Sequence, residues 1–235
     1  MKLRNVALLV GLWAVAVGSA QAAGGADAGV QIAVLAKAWA HLNYEIPDKR
    51  QEAAEAGRLA AQADSVAKRS PARAEPLLFE ALIVLSEADA RHDIGSLALV
   101  KTARHLLERA AKLGPPAPVQ ATIYANLGSL YAQLPGFPLS FGDPNKARVY
   151  LEKAMAASPD GLDANYFYGD FLFRQGDYAK AVGVLEHALS APGRPGMELA
   201  DRGRKGEAAE LLEKAHKKLS ESGGGHPAPS RHKRR

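Results

Sequence analysis

The chain contains no cysteine among its 235 residues. That removes a disulfide framework, thiolate zinc sites, a cysteine nucleophile and the lipid-bearing cysteine of a bacterial lipoprotein. Aromatic residues are scarce at 6%, and no run of alternating β-branched residues offers a strand. Catalytic motifs are missing too: there is no Gly-x-Ser-x-Gly, no phosphate-cradling loop and no His-Glu-x-x-His. The histidines His41, His92, His105, His187, His216, His226 and His232 show no close pairing at metal-ligand spacing. His92-Asp93 is an adjacent pair in an interhelix loop, and neighbours in sequence need not converge. The chain therefore reads as a non-enzyme, with no cofactor and no metal expected. What is abundant is apolar sequence, 47% of the residues, enough at this length for a core that folds without staples.

The basic balance is an effect of the ends. Of a formal net charge of +5, Lys2, Arg4, Arg231, Lys233, Arg234 and Arg235 contribute six positive charges, so residues 5–230 sum to −1. A nucleic-acid binder needs its Lys and Arg on a folded face, so nucleic acid is not an expected partner.

Lys2 and Arg4 precede a twelve-residue apolar run, Val6 to Val17, and Ala20-Gln21-Ala22 follows with the small residues a signal peptidase accepts. Residues 1–22 read as a cleaved secretory signal, because the run is too short for a hydrocarbon core of about 30 Å and no later stretch reaches roughly 20 apolar residues. The mature chain would have 213 residues and no transmembrane segment. Lack of disulfides argues against a small eukaryotic secreted module, so the expected location is the periplasm. At the other end, residues 221–235 hold three glycines and two prolines with nothing apolar enough to pack, and read as a disordered basic tail.

Helix punctuation recurs every fifteen to twenty residues in between: Ile46-Pro47-Asp48, Ser70-Pro71, Gly114-Pro115-Pro116, Asp143-Pro144, Ser158-Pro159-Asp160-Gly161 and Pro192-Gly193-Arg194-Pro195-Gly196. Ser70 and Asp143 each precede a proline and read as N-caps. The segments between are rich in Ala, Leu, Glu, Lys and Arg, strong helix formers. Nine helices are predicted, over 28–45, 48–68, 71–90, 96–113, 118–134, 144–157, 161–175, 178–190 and 205–220.

A frame of small residues repeats along them. Ala103, Leu107 and Ala110 have the spacing of Ala147, Leu151 and Ala154, of Ala181, Leu185 and Ala188, and of Ala208, Leu212 and Ala215. From the second set to the third the shift is 34 residues, and the preceding helices carry a matching Leu127-Gly128 and Tyr168-Gly169. Two antiparallel helices approach closely where a side chain is absent, so Gly128 and Gly169 should lie against Ala147 and Ala181, with Leu151 and Leu185 filling the space between repeats.

Tyr124-x-x-Leu127-Gly128-x-x-Tyr131, the frame ending at Pro159, and Asn165-x-x-Tyr168-Gly169-x-x-Leu172 followed by Gly176-Asp177-Tyr178 resemble the tetratricopeptide repeat (TPR) family. The resemblance implies an all-α solenoid of helix-turn-helix repeats over 23–220. The best repeats are 121–161 and 162–195, with a looser one at 71–115, where Ala81 takes the glycine role and Glu80 falls at a normally apolar place. Residues 28–68 form two helices without a secure register. Residues 205–220 would cap the last repeat.

In that family a second face of the first helix lines a concave groove, which here assigns Asp163, Tyr166, Asp170, Phe173 and Arg174, with Thr122 and Ser129 from the preceding repeat. Two aspartates there depart from the Lys, Arg and Asn of repeats that clamp a partner's C-terminal carboxylate. Between Leu134 and Asp143 an insertion places Phe137, Leu139 and Phe141 on a proline-rich loop. They either fold back over the core or line a site or a subunit contact. The expected partner is a protein or peptide held in the groove. The alternative is a small apolar ligand, since the signal, repeats and inserted loop also resemble the periplasmic T component of TRAP-type transporters.

Overall fold

The computed structural model describes residues 27–223. The expected signal segment, 1–22, and all but the start of the expected tail lie outside them. Every regular element within these residues is an α-helix: α1 over 27–45, then α2 Lys49–Arg69, α3 Glu75–Arg91, α4 Ser96–Lys112, α5 Ala117–Gln133, α6 Pro144–Ala157, α7 Leu162–Arg174, α8 Tyr178–Ser190 and α9 Glu198–Gly223. From α2 onward each helix packs on the next, while α5 touches α7 and α7 touches α9. Short connections make neighbours antiparallel, so α3, α5 and α7 form an inner row and α4, α6 and α8 an outer one. This is an all-α helical-repeat solenoid.

The repeated frame is the spine of the core. Ala103, Leu107, Ala110, Ala147, Leu151, Ala154, Ala181, Leu185, Ala188, Ala208 and Ala215 are fully buried. Close approach explains why. A Cβ added to Gly128 would fall 2.5 Å from Leu151 Cγ and 3.2 Å from the Ala147 carbonyl oxygen, and one added to Gly169 would fall 2.7 Å from both Cγ and Cδ2 of Leu185. The frame also reaches upstream, where Ala56 and Ala63 on α2 are fully buried with Ala60 between them. Residues 28–68 thus acquire the register their sequence leaves open.

Local capping decides the helix ends, and two differ from expectation. Asp143 caps α6 as predicted, accepting from the backbone N–H groups of Asn145 and Lys146. Ser70 instead closes α2, its N–H donating to the carbonyls of Val66 and Ala67. Helix α3 then starts at Glu75, with Pro76 in its first turn. The last helix begins at Glu198 rather than 205, because Gly196 takes a φ of +78° and its N–H donates to the Glu198 carboxylate. Gly203 does not break that helix. The ring of Tyr44 from α1 packs on it so closely that an added Cβ would lie 2.3 Å from Tyr44 Cδ1. The far end of the stack is thereby joined to α1.

Candidate functional site

Helix α1 meets the inner row where Trp39 packs near the ring of Phe79 of α3, and it meets α9 where Tyr44 packs on Gly203. Arg194, ahead of α9, donates through its backbone N–H and Nε to Asp201 and through Nη1 to Asp163 Oδ2 at 2.7 Å. Arg204 completes the clasp, placing Nε 3.3 Å from Asp163 Oδ1 and bonding Glu207 through Nη1. Its guanidinium rests 4.6 Å from the Tyr166 ring centroid and 4.7 Å from that of Phe167, a favourable cation–π contact in a desolvated setting.

Electrostatics hold this clasp in one protonation state. Burial alone pushes the Asp163 carboxyl up, but the Arg194 and Arg204 guanidiniums outweigh it and keep the group below the usual carboxylate range. Burial pushes the Tyr166 hydroxyl up to about 12, helped by Glu207 and opposed by Arg204. Tyr44 is likewise raised, chiefly by burial. At neutral pH Asp163 is therefore ionised while Tyr166 and Tyr44 keep their protons.

The clasp divides the groove into two. On one side is an apolar cavity of about 170 Å³, lined by Trp39 of α1, Leu78, Phe79 and Leu82 of α3, Val119 of α5 and Met197, with Thr122, Asn126, Asp163 and Arg194 at its polar margin. On the other side, between α7 and α9, is a cleft of about 360 Å³ lined by Tyr166, Asp170, Phe173, Arg174, Glu207, Glu210, Leu211 and Lys214. Asp170 accepts from Arg174 Nε at 2.7 Å, and Phe173 stands edge-on to Tyr178.

The structure therefore brings four of the groove candidates, Tyr166, Asp170, Phe173 and Arg174, to one cleft. Asp163 and Thr122 it places at the apolar cavity. Ser129 is buried and accepts from Gln133 Nε2, away from both. The loop triad also separates. Phe141 folds back, its ring edge-on to Tyr131 and 4.3 Å from the Arg104 guanidinium, whereas Phe137 and Leu139 stand in solvent, 93% and 74% exposed.

Sequence reasoning did not find Arg194, Asp201 and Arg204. Two aspartates on an aromatic helix face call for cations, and that demand was the available signal, but the cations come from 31 to 41 residues downstream. Among the described residues no cluster of three or more His, Cys, Asp or Glu could hold a metal ion, and no helix is long and apolar enough to cross a membrane.

A helical-repeat stack with a partitioned groove is the class these features define. Residues 139–193 match the family model described as a tetratricopeptide repeat, the stretch that holds α6, α7 and α8. Two solved structures, both of MamA, are similar to the chain. One is 22% identical, covering 77% of this chain and 98% of that one, and the other is 21% identical, covering 85% and 98%, each with a TM-score of 0.39. None of the curated proteins matches it.

Proposed function

We propose that the protein is a non-catalytic interaction scaffold of the periplasm that holds an extended segment of a protein partner in the cleft between α7 and α9. One observation carries the reading: Tyr166, Asp170, Phe173 and Arg174, assigned to a groove by their repeat positions, line that single cleft. Its chemistry is mixed, an aromatic floor flanked by acids and by Arg174 and Lys214, which suits a peptide with both apolar and charged side chains. Protein recognition of this kind concentrates on aromatic and arginine anchors.

The test is photocrosslinking in the native host, with a photoreactive residue at Phe173 in the cleft and a control at Glu186, exposed on α8. A discrete adduct at 173 and none at 186 supports the cleft, and adducts at 186 alone refute it. The mass of the recovered protein checks the location, since cleavage after Ala22 leaves a chain beginning at Ala23.

A second reading rests on the apolar cavity. Its volume of about 170 Å³ exceeds the size at which dry apolar cavities take up benzene-sized guests, about 150 Å³. A small apolar ligand with one hydrogen-bonding group would fit against Trp39, Phe79 and Met197, its polar end toward Asn126 or Arg194. Native mass spectrometry of gently purified protein would show a retained small mass if this holds and a bare subunit if it does not.

A further inference from the structure

Every charge that lines the apolar cavity beside Trp39, Phe79 and Met197 is already met by a charge of opposite sign. Asp163 accepts on one oxygen from Arg194 and on the other from Arg204, while Arg194 also holds Asp201 and Arg204 also holds Glu207. Glu75 is bonded through both of its oxygens to Arg73, at 2.6 and 3.5 Å. In the clasp, two guanidiniums face three carboxylates, so one negative charge is in excess. An anion entering the cavity would find no free cation, and a cation would have to displace an arginine. Either charge would be buried without a partner, which is costly.

The neutral polar groups are arranged differently. Thr122 spends its hydroxyl proton on the Pro118 carbonyl. Asn126, only 6% exposed, donates through Nδ2 to the Thr122 carbonyl at 2.8 Å. That bond fixes the amide and leaves its acceptor, Oδ1, without a partner among the described residues. The Trp39 indole N–H, on a residue 7% exposed, has no partner among them either. Neither atom is enclosed by protein: among the described residues, the enclosed side-chain atoms that lack a partner are Tyr44 Oη, Arg104 Nε and Ser140 Oγ. Asn126 thus presents an open acceptor to the cavity it lines. Buried polar groups are as a rule hydrogen-bonded, and a few of them in an apolar pocket are what orients a ligand.

We infer that the cavity takes an uncharged molecule of single-ring size carrying one hydroxyl or N–H donor, which bonds Asn126 Oδ1 while the ring lies among Trp39, Leu78, Phe79 and Leu82. The volume of about 170 Å³ sets the size, since benzene-sized guests fill about 150 Å³. A hydroxyl also accepts, which offers the Trp39 N–H a partner, so phenol is the minimal form of this ligand. The inference rests on the small-ligand reading of this cavity and is independent of the cleft between α7 and α9.

The test uses the chain beginning at Ala23, in which Trp39 is the only tryptophan, so that its indole N–H gives one nitrogen–proton NMR cross-peak. Phenol and toluene are expected to move that peak saturably, and benzoate is not. Asn126→Leu should weaken phenol about tenfold or more while leaving toluene within about threefold, with a dichroism melt to check that the variant is folded. Anisole, which is phenol with its donor methylated, makes the comparison without a mutation and should bind the unaltered chain about tenfold more weakly than phenol. If toluene binds and phenol does not, or if phenol binds the variant or anisole the unaltered chain as tightly as phenol binds the unaltered chain, the inference is overturned and the small-ligand reading stands. Benzoate binding as tightly as phenol would overturn the requirement for an uncharged molecule. If no probe moves the peak, the small-ligand reading itself falls and the inference falls with it.

Discussion

Gly169 shows how one absent side chain sets the distance between two helices. Leu185 occupies the space a side chain would need, and it is itself fully buried, so it has nowhere to retreat. Gly169→Leu is expected to cost about 1–3 kcal/mol by overpacking, seen as a lowered urea midpoint with the slope retained, and an unchanged midpoint would refute the packing. Glu80 makes the opposite case, a residue the fold tolerates at a cost. Burial between α2 and α4, with Asp64 adding to it, pushes its carboxyl up to about 7, and Arg109 and Lys68 offset this only in part. A pKa raised in the folded state means the protonated form is favoured there, so this contribution is complete below about 4.5 and is lost as pH rises to 7. Glu80→Gln should therefore stabilise the protein at pH 8 by an amount on the order of 2 kcal/mol and change little at pH 4, measured by urea unfolding at both. Equal effects at the two pH values would mean the carboxyl titrates normally.

At the scale of elements, α9 packs on α8 through Ala208, Leu211, Leu212 and Ala215 and is clasped to α7 as well. Asp163 takes hydrogen bonds from both Arg194 and Arg204 in a site nearly closed to water, and removing one partner of such a group strands the others. Asp163→Ala should cost about 3–5 kcal/mol, with hydrogen exchange rising first in α9. Uniform exchange across all helices would show that α9 does not depend on the clasp. The sequence was legible where the information is local and periodic. The alanine and leucine frame recurs at fixed spacing, and every expected helix exists. It misled where a residue answers to a distant neighbour. Ser70 has the look of an N-cap, but its N–H closes α2, and residues 71–74 turn before α3 starts at Glu75. The expected start of the last helix at 205 leaves out Gly203, which lies within α9 beneath the ring of Tyr44 from α1. Of the site, the face on α7 was readable from its repeat position, while Arg194 and Arg204 were not, since nothing near Asp163 in sequence announces them.

Across the whole molecule, the contact between Tyr44 and Gly203 changes what kind of solenoid this is. In a linear array each repeat touches only its neighbours, and the ends fray independently. Here α1 reaches α9, and Trp39 on α1 shares the apolar cavity with Met197 and Arg204, so opening either end exposes the same surface. Beside that contact, the clasp of Arg194 and Arg204 on Asp163 forms the wall between the cavity and the cleft. In a chain beginning at Ala23, Trp39 is the only tryptophan, and its emission reports α1 alone while far-UV circular dichroism reports all the helices. The intact protein should unfold in urea with the two signals coincident, as one cooperative unit. Gly203→Leu would drive its side chain into the Tyr44 ring and part α1 from α9, so the Trp39 transition should move to lower urea and separate from the dichroism. If the variant keeps both signals coincident and unshifted, the ends are not coupled, and the molecule behaves as an ordinary open stack despite the contact.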